Sequence, residues 1–145
     1  MKLTAHTDYG LRVLMTLALL DDRLVTIDEL ARRHRLSKNH LMKVAQTLVG
    51  LGLVRSVRGR AGGLKLARDP ADIRMGAVVR ALEGDVRLVE CLGDGPVACV
   101  LCGACRLTRA LTQALEAFFG VLDALTLAEL VELQPAMRER LGLAA

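Results

Sequence analysis

The chain has 145 residues, of which 52% are hydrophobic and 25% are charged, so it is suited to one globular domain with a small appendage, and extended disorder is excluded. Its aromatic content is 2%, limited to Tyr9, Phe118 and Phe119, which excludes nucleic-acid binding by stacking of bases on a platform of rings. The net charge of +4 is distributed unevenly, because residues 1–70 carry 13 Lys and Arg against 6 Asp and Glu, whereas residues 71–145 carry 7 against 10.

The most apolar stretch lies near the amino end, and its hydrophobic residues recur at helical spacing over residues 11–19. Asp8 and Arg12 interrupt the approach to it and no small-residue cleavage site follows, so we interpret it as a core helix rather than a signal peptide. It also falls short of the roughly 18 apolar residues that a membrane span needs. We therefore expect a cytoplasmic protein with no membrane partner, whose first helix begins near Thr7 or Asp8 with either residue as its N-cap.

Two short helices are predicted next, joined by a turn of three or four residues. The first starts at a capping box formed by Thr26 and Glu29 and runs to about Arg33. The second has Ser37 as its N-cap, an apolar inner face and an end at Gly50. This order of elements is a helix-turn-helix.

A small hairpin follows directly after the second of these helices. Residues 53–58 and 64–66 alternate like strands, and residues 59–63 form a glycine-rich turn between them. A helix-turn-helix followed by such a hairpin is typical of a winged helix, in which the wing lies beside the DNA groove that the helix enters. We predict a mainly α fold with a winged-helix DNA-binding domain over residues 1–70.

The predicted DNA-binding domain contains a run of positive charge. Ten basic side chains and no acidic one lie between Arg32 and Arg68, which indicates a polyanionic partner such as double-stranded DNA. A single cation is ordinarily a solvated surface charge, but ten without an acid are not. Asn39 is suited to reading adenine, and the basic residues are suited to phosphates or the minor groove. The candidate DNA contacts are Ser37, Lys38, Asn39, His40, Lys43, Arg58 and Arg60.

The second predicted unit, residues 71–145, begins with a linking helix over residues 75–82. A glycine-rich loop over residues 84–105 holds all four cysteines, and a long helix from about Arg106 to Leu122 follows it. The apolar stripe of that helix is wide enough to need burial against another helix, with the first helix and a helix of a second subunit as the candidate partners. We expect the long helix to be the dimerisation element. A last short helix carries a capping box over residues 126–129, and Pro135 follows it.

The four cysteines indicate a metal site. The spacing Cys99-x-x-Cys102-x-x-Cys105, with Cys91 upstream, lets several thiolates face one centre, as in iron–sulfur proteins. Four thiolates also suit a structural zinc site. A redox-active thiol pair is a third interpretation, which we rank last because such pairs belong to a strand–helix unit that the local pattern lacks. Four unrelated buried cysteines are not expected in so tight a cluster.

The sequence resembles the bacterial iron–sulfur winged-helix regulators, and within them the branch of nitric-oxide-sensitive repressors. The resemblance covers nearly the whole chain, and its most specific motifs are Val89-Glu90-Cys91 and Gly103-Ala104-Cys105-Arg106-Leu107. Further matching segments are Met1-Lys2-Leu3-Thr4, Thr7-Asp8-Tyr9-Gly10-Leu11-Arg12, Ser37-Lys38-Asn39-His40-Leu41 and the wing Arg58-Gly59-Arg60-Ala61-Gly62-Gly63-Leu64.

The resemblance implies a ligand set for a [4Fe-4S] or [2Fe-2S] cluster. The three cysteine ligands of the family fall on Cys91, Cys99 and Cys105, and its fourth ligand, an aspartate from the other subunit, falls on Asp8. The sequence departs from the family pattern by carrying Cys102, which is an alternative ligand. A carboxylate is a harder and more exchangeable ligand of cluster iron than a thiolate, so it leaves one corner accessible to a small molecule.

The resemblance further implies a homodimeric repressor that binds a palindromic operator, senses nitric oxide and has no enzymatic activity. One alternative is a regulator of the same fold that senses iron–sulfur supply or redox state. Another is a DNA-binding protein whose cysteines hold structural zinc. Colour separates the zinc protein from the regulators that hold a cluster, since an anaerobically purified cluster protein is brown and a zinc protein is colourless.

Overall fold

Seven α-helices and one two-stranded hairpin make up the computed structural model, which describes residues 2–93 and 95–143. The helices are α1 (Ala5–Leu19), α2 (Ile27–His34), α3 (Lys38–Gly50), α4 (Met75–Glu83), α5 (Arg106–Ala124), α6 (Leu127–Val131) and α7 (Pro135–Arg140), and the strands are β1 (Val54–Val57) and β2 (Gly63–Leu66). Two 3-10 helices, Pro70–Asp72 and Glu90–Leu92, lie in the connections. The predicted mainly α, winged helix-turn-helix fold is confirmed. None of the described helices is long and apolar enough to cross a membrane.

Helix α1 begins earlier than its sequence predicts. Its N-cap is Thr4, whose hydroxyl accepts a hydrogen bond from the Thr7 amide at 3.2 Å, so the prediction of Thr7 or Asp8 as the N-cap is wrong. The physical reason is a tertiary contact, because the Thr4 amide and hydroxyl donate to the Glu83 carboxylate of α4 at 3.0 and 3.1 Å. Glu83 lies 79 residues away along the chain, and local patterning cannot anticipate such a partner.

Helix α2 has the predicted N-cap, Thr26, which accepts from the Glu29 amide at 3.1 Å. The Glu29 carboxylate, predicted to complete a capping box, instead accepts hydrogen bonds from Arg23 at 2.6 Å and Arg33 at 2.7 Å. The hydrogen bond from Arg23, with a smaller contribution from Arg33, lowers the pKa of Glu29 from its ordinary 4.5 to about 2. Arg35 ends the helix in the left-handed conformation, with φ of 54°, and starts the turn to α3.

We expect Glu29→Gln to lower the free energy of unfolding by about 2 kcal/mol at pH 7, since a carboxylate with a depressed pKa stabilises the folded state and the partly exposed Arg23 screens part of that gain. The contribution is present above pH 4.5 and is lost as the pH falls toward about 2. Urea unfolding of both proteins across this range measures it. Glu116→Gln, at an exposed position of α5, is the control and leaves stability unchanged. A pH-independent difference for Glu29→Gln contradicts the assignment.

Helix α3 and the wing pack together beside α1. The inner face of α3 consists of Leu41, Val44, Ala45 and Leu48, all buried in the core. Strands β1 and β2 pair antiparallel from Val54 with Leu66 to Val57 with Gly63. Gly62 is required in the turn, because a Cβ there would lie 2.3 Å from the Val57 carbonyl oxygen. The wing is tied to the segment before α2, since the Leu64 amide donates to the Val25 carbonyl at 2.8 Å.

The carboxyl-terminal elements pack against the helix-turn-helix. Leu127 and Leu143 belong to the same buried cluster as the cores of α1 and α3. The predicted capping box of α6 is present, with the Glu129 carboxylate accepting from the Thr126 amide at 2.7 Å. Pro135, expected to follow the last helix, instead begins α7.

Candidate nucleic-acid interface and cysteine centre

The outer face of α3 carries the predicted DNA contacts. Leu41 and the other buried residues of α3 hold the helix against the core, so the opposite face of its amino-terminal turns is exposed to solvent. Each predicted contact at this end is exposed: Ser37, Lys38, Asn39, His40 and Lys43. Ser37 occupies the N-cap position as predicted, although its side chain makes no capping hydrogen bond. Its hydroxyl is therefore not committed to the amides of its own helix.

The wing presents the other two predicted contacts. Arg58 and Arg60 are both exposed and flank Gly59, whose φ of 116° lies in a region that L side chains rarely adopt. Strand β1 contacts α3, so the wing adjoins the helix that carries the other predicted contacts. The arrangement has the order and connection of a winged helix.

The basic run is less uniform in space than in sequence. Three of the ten cations in the run form ion pairs with acidic residues that precede Arg32 in the sequence: Glu29 pairs with Arg33 at 2.7 Å, Asp28 with Lys38 at 2.7 Å, and Asp21 with Lys65 at 3.9 Å. These acids lie outside the stretch from Arg32 to Arg68, so the sequence pattern did not reveal the pairs. The other seven cations are all exposed: Arg32, Arg35, Lys43, Arg55, Arg58, Arg60 and Arg68. A cationic surface therefore remains around α3 and the wing.

Two of the predicted cluster ligands meet at the start of α5. Cys91 lies in the 3-10 helix before it, with its Sγ 3.5 Å from the Thr108 hydroxyl. Cys105 is the N-cap of α5, and hydrogen bonds from the backbone amides of Thr108 and Leu107 lower the pKa of its thiol. Thr108 therefore contacts Cys91 from the first turn of the helix that Cys105 caps, which the spacing of the sequence alone did not reveal.

Cys99 and Cys102 lie further out on the same loop. Both are exposed, and the Cys102 amide donates to the Cys99 carbonyl at 3.1 Å, which closes a four-residue turn. All four cysteines are free thiols. Across residues 2–93 and 95–143 of the single chain, no three His, Cys, Asp or Glu side chains are close enough together to hold one metal ion. Cys91 and Cys105 thus both lie at the start of α5, and among the described residues no third candidate ligand lies close to them.

Asp8, the predicted fourth ligand, lies in the first turn of α1. Its carboxylate accepts two hydrogen bonds from Arg12, at 3.1 and 2.6 Å, and both side chains are partly exposed. The Arg12 guanidinium lies 5.9 Å from the centre of the Tyr9 ring, and that ring lies 6.3 Å from the ring of His40 on α3. A chain of contacts therefore joins Asp8 to the helix that carries the predicted DNA contacts.

Glu83 joins the cysteine loop to α1. It is the last residue of α4, and the loop follows it. Burial opposes its ionisation, but hydrogen bonds from Thr7 and Thr4 outweigh burial and lower the pKa of Glu83. Its carboxylate thereby holds the amino end of the helix that carries Asp8. Sequence reasoning missed this residue, and no local pattern marks it.

A family model, described as an iron-dependent transcriptional regulator and named Rrf2, matches residues 3–133. The chain belongs to the Rrf2 family. Among its curated relatives, the HTH-type transcriptional regulator NsrR of Geobacillus kaustophilus is 46% identical and covers 98% of this chain and 100% of its own. The NsrR of Bacillus subtilis is 47% identical over 91% of each chain. The resemblance predicted from the cysteine motifs is confirmed.

Solved structures of Rrf2 regulators share the fold. CymR of B. subtilis, described as the global cysteine regulator, is 30% identical with a TM-score of 0.74, covering 90% of this chain and 96% of its own. The IscR of T. potens is 28% identical with a TM-score of 0.72, covering 91% of this chain and 87% of its own. This Rrf2 chain is a DNA-binding transcriptional regulator and not an enzyme, as its sequence predicts.

Proposed function

We infer that the protein is a homodimeric transcriptional repressor that binds a palindromic operator and responds to nitric oxide through an iron–sulfur cluster. The ligands in this proposal are Cys91, Cys99 and Cys105 of one subunit and Asp8 of the other. The observation that carries it is the contact of Cys91 with Thr108 in the first turn of the helix that Cys105 caps, next to the loop that holds Cys99. The near-full-length identity of 46% to an NsrR favours this signal over that of the IscR branch, whose structure is 28% identical.

The donor set fits such a cluster. Thiolates are soft ligands that suit iron–sulfur centres, and the loop offers them on an irregular, exposed backbone that is able to adjust around a bound group. When bound, a [4Fe-4S] or [2Fe-2S] cluster supplies iron atoms that nitric oxide attacks. Asp8 is the exchangeable ligand of the set, because a hard carboxylate holds cluster iron less firmly than a thiolate does. A reducing cytoplasm keeps the thiols available.

Helix α5 supports the homodimer. Over its 19 residues the only buried residue is Phe119, although an apolar stripe runs along the helix. Leu107 is 62% exposed and Val121 is 71% exposed. So wide an apolar stripe on a soluble regulator needs a partner surface, and the α5 of a second copy offers a matching one. The dimer then presents two copies of α3 to the two halves of a palindrome.

The DNA contacts are testable by two variants with different expected effects. Arg60→Gln removes a predicted phosphate contact, so we expect binding to weaken about equally on all sequences and the salt slope to fall by about one unit. Asn39→Ala removes a predicted base contact, so we expect lower discrimination between operator and random DNA. Fluorescence anisotropy at several salt concentrations measures both, with Arg109→Gln on α5 as the control cation. An unchanged specificity ratio for Asn39→Ala means that α3 is not the recognition helix.

Anaerobic purification tests the proposed signal. The expected protein is brown, contains iron and acid-labile sulfide, and loses its visible absorption when titrated with nitric oxide. A colourless protein that contains zinc refutes the proposal in favour of a structural metal site. A brown protein whose spectrum withstands nitric oxide but changes on oxidation supports the redox-sensing alternative.

A further inference from the structure

Cys102 is the one cysteine that the proposed ligand set leaves without a role. It occupies the fourth position of the turn that begins at Cys99, closed by the 3.1 Å hydrogen bond from its amide to the Cys99 carbonyl. The turn that follows is also closed, since the Ala104 amide donates to the Leu101 carbonyl at 3.1 Å. Gly103 lies in that second turn with φ of 84°, a value typical of glycine in a type II turn. The position of Cys102 is therefore fixed relative to Cys99 by the backbone.

The geometry of this turn is suited to a disulfide. The first and fourth Cα atoms of a hydrogen-bonded turn lie less than about 7 Å apart, and disulfides join Cα atoms separated by about 4.4–6.8 Å. Both side chains are exposed, so a small oxidant and a reducing thiol reach them directly. Cys91 and Cys105, in contrast, are only half-exposed beside Thr108. The exposed pair is the one that the loop offers for oxidation.

We propose that Cys99 and Cys102 form a reversible disulfide when no cluster is bound, and that this disulfide blocks reloading of the site. Hydrogen peroxide is the oxidant class. Its O–O bond breaks as one thiol becomes a sulfenic acid and a first water leaves. The second sulfur then attacks, so that the S–S bond forms, the S–O bond breaks, and the hydroxyl leaves with the thiol proton as a second water. Two thiols lose two electrons and two protons, and one peroxide becomes two waters.

The consequence for cluster loading rests on the proposed function, because it treats Cys99 as a ligand. A disulfide at Cys99 removes that ligand, so oxidised apoprotein accepts no cluster until a thiol reductant restores both sulfurs. Bound cluster protects Cys99 and thereby prevents the disulfide. The regulator would then report thiol redox state after its cluster has been destroyed.

Differential alkylation of the apoprotein tests the disulfide. Peroxide-treated apoprotein is blocked with iodoacetamide, reduced with a phosphine and labelled with N-ethylmaleimide. Trypsin then releases residues 88–106, which contain all four cysteines, and tandem mass spectrometry assigns each label. N-ethylmaleimide is expected on Cys99 and Cys102 and iodoacetamide on the other two. The second label on Cys91 and Cys105 instead, or its absence from Cys102, overturns the proposal.

Two variants sharpen this experiment. Cys91→Ser leaves the turn intact, so its apoprotein is expected to form the same disulfide. Cys102→Ser removes one partner, so the second label is expected to vanish from Cys99 as well, once any sulfenic acid has been trapped with dimedone before the reduction. Retention of the second label on Cys99 after this trapping means that Cys99 pairs elsewhere and refutes the assignment.

The loaded protein separates the two proposals. In cluster-bound protein, iodoacetamide is expected to modify Cys102 alone. In reconstitution with ferrous iron and sulfide, oxidised wild-type apoprotein is expected to take up cluster more slowly than oxidised Cys102→Ser apoprotein. Protection of Cys102 by the cluster, or equal reconstitution of the two proteins, overturns the inference. A protein that never takes up a cluster defeats the proposed function, and the labels of the apoprotein still decide whether the disulfide forms.

Discussion

Alanine at Cys91, Cys99 or Cys105 is expected to leave the anaerobically purified protein without its cluster, whereas alanine at Cys102 leaves the cluster in place. Each of the first three variants removes a thiolate for which the chain has no equivalent substitute at that position. Cys102 is not among the three cysteines that match the ligands of the family, so its loss leaves that set in place. Iron and sulfide content per chain, together with visible absorption, measures the effect.

The opposite pattern identifies the compact ligand set. A colourless Cys102→Ala protein beside a normally coloured Cys91→Ala protein means that the cluster is held by Cys99, Cys102 and Cys105. Circular dichroism of every variant is the control, since α5 and the core of α1 to α3 do not include these thiols. Loss of helical signal in a colourless variant disqualifies that variant as evidence about ligands.

Thr108→Val is a milder test of the same site. The Thr108 hydroxyl contacts Cys91, and the Thr108 backbone amide, which valine retains, lowers the pKa of the Cys105 thiol. Groups that orient metal ligands typically affect affinity by about 10–100-fold when they are removed. We expect Thr108→Val to retain a cluster that is lost faster to a chelator, and Thr112→Val, one turn further along α5, to behave like wild type. Equal loss rates for Thr108→Val and wild type would show that this hydroxyl does not orient the ligand.

The winged helix-turn-helix was predictable because its signals are local. Apolar spacing fixes the inner face of α3, Gly50 ends that helix, and the glycine-rich turn separates two alternating segments at β1 and β2. Each of these features depends on residues within a few positions of one another. The capping box at Thr126 and Glu129 was predictable for the same reason.

The contacts that the sequence did not reveal are tertiary. Glu83 holds the start of α1 from 79 residues away, which moves the N-cap from the predicted positions to Thr4. Helix α7 is only six residues long, too short for a clear periodic pattern, and it is held by Arg138 donating to the Leu19 carbonyl and by Leu143 in the core. Motif spacing gave the candidate cysteines, but their division into a pair at Thr108 and a pair in the turn required the fold.

Nitric oxide is expected to weaken operator binding while the protein stays dimeric and helical. If the cluster joins three cysteines of one subunit to Asp8 of the other, it fixes the angle between the two winged helices. Both copies of α3 must lie about one helical turn apart to occupy a palindrome, so a small change in this angle impairs one half-site. A coupling free energy of about 1–3 kcal/mol corresponds to a loss of about 5–150-fold in affinity. The apolar stripe of α5 does not depend on iron, so dimerisation persists.

The contacts of Asp8 indicate how the effect reaches the DNA. Asp8 bonds Arg12, the Arg12 guanidinium lies 5.9 Å from the Tyr9 ring, and Tyr9 lies 6.3 Å from His40 on α3. Asp8 would be the residue that holds the cluster from this subunit, and its hydrogen bonds with Arg12 would make that contact sensitive to whether a cluster is bound. We therefore expect Asp8→Ala to retain part of its cluster and to show a blunted response to nitric oxide. Asp22→Ala, an exposed acid between α1 and α2, is the matched control and responds like wild type.

The measurement is operator affinity, determined by anisotropy before and after a stoichiometric titration with nitric oxide. Dimer mass and circular dichroism of the same samples show whether the protein stays dimeric and helical. Because linkage is reciprocal, operator DNA must also raise the equilibrium affinity of the protein for its cluster by the factor through which the cluster strengthens DNA binding. Apoprotein that binds the operator as tightly as loaded protein contradicts the switch. So does an affinity change within about twofold after nitrosylation, because that lies below the coupling that a displaced half-site requires.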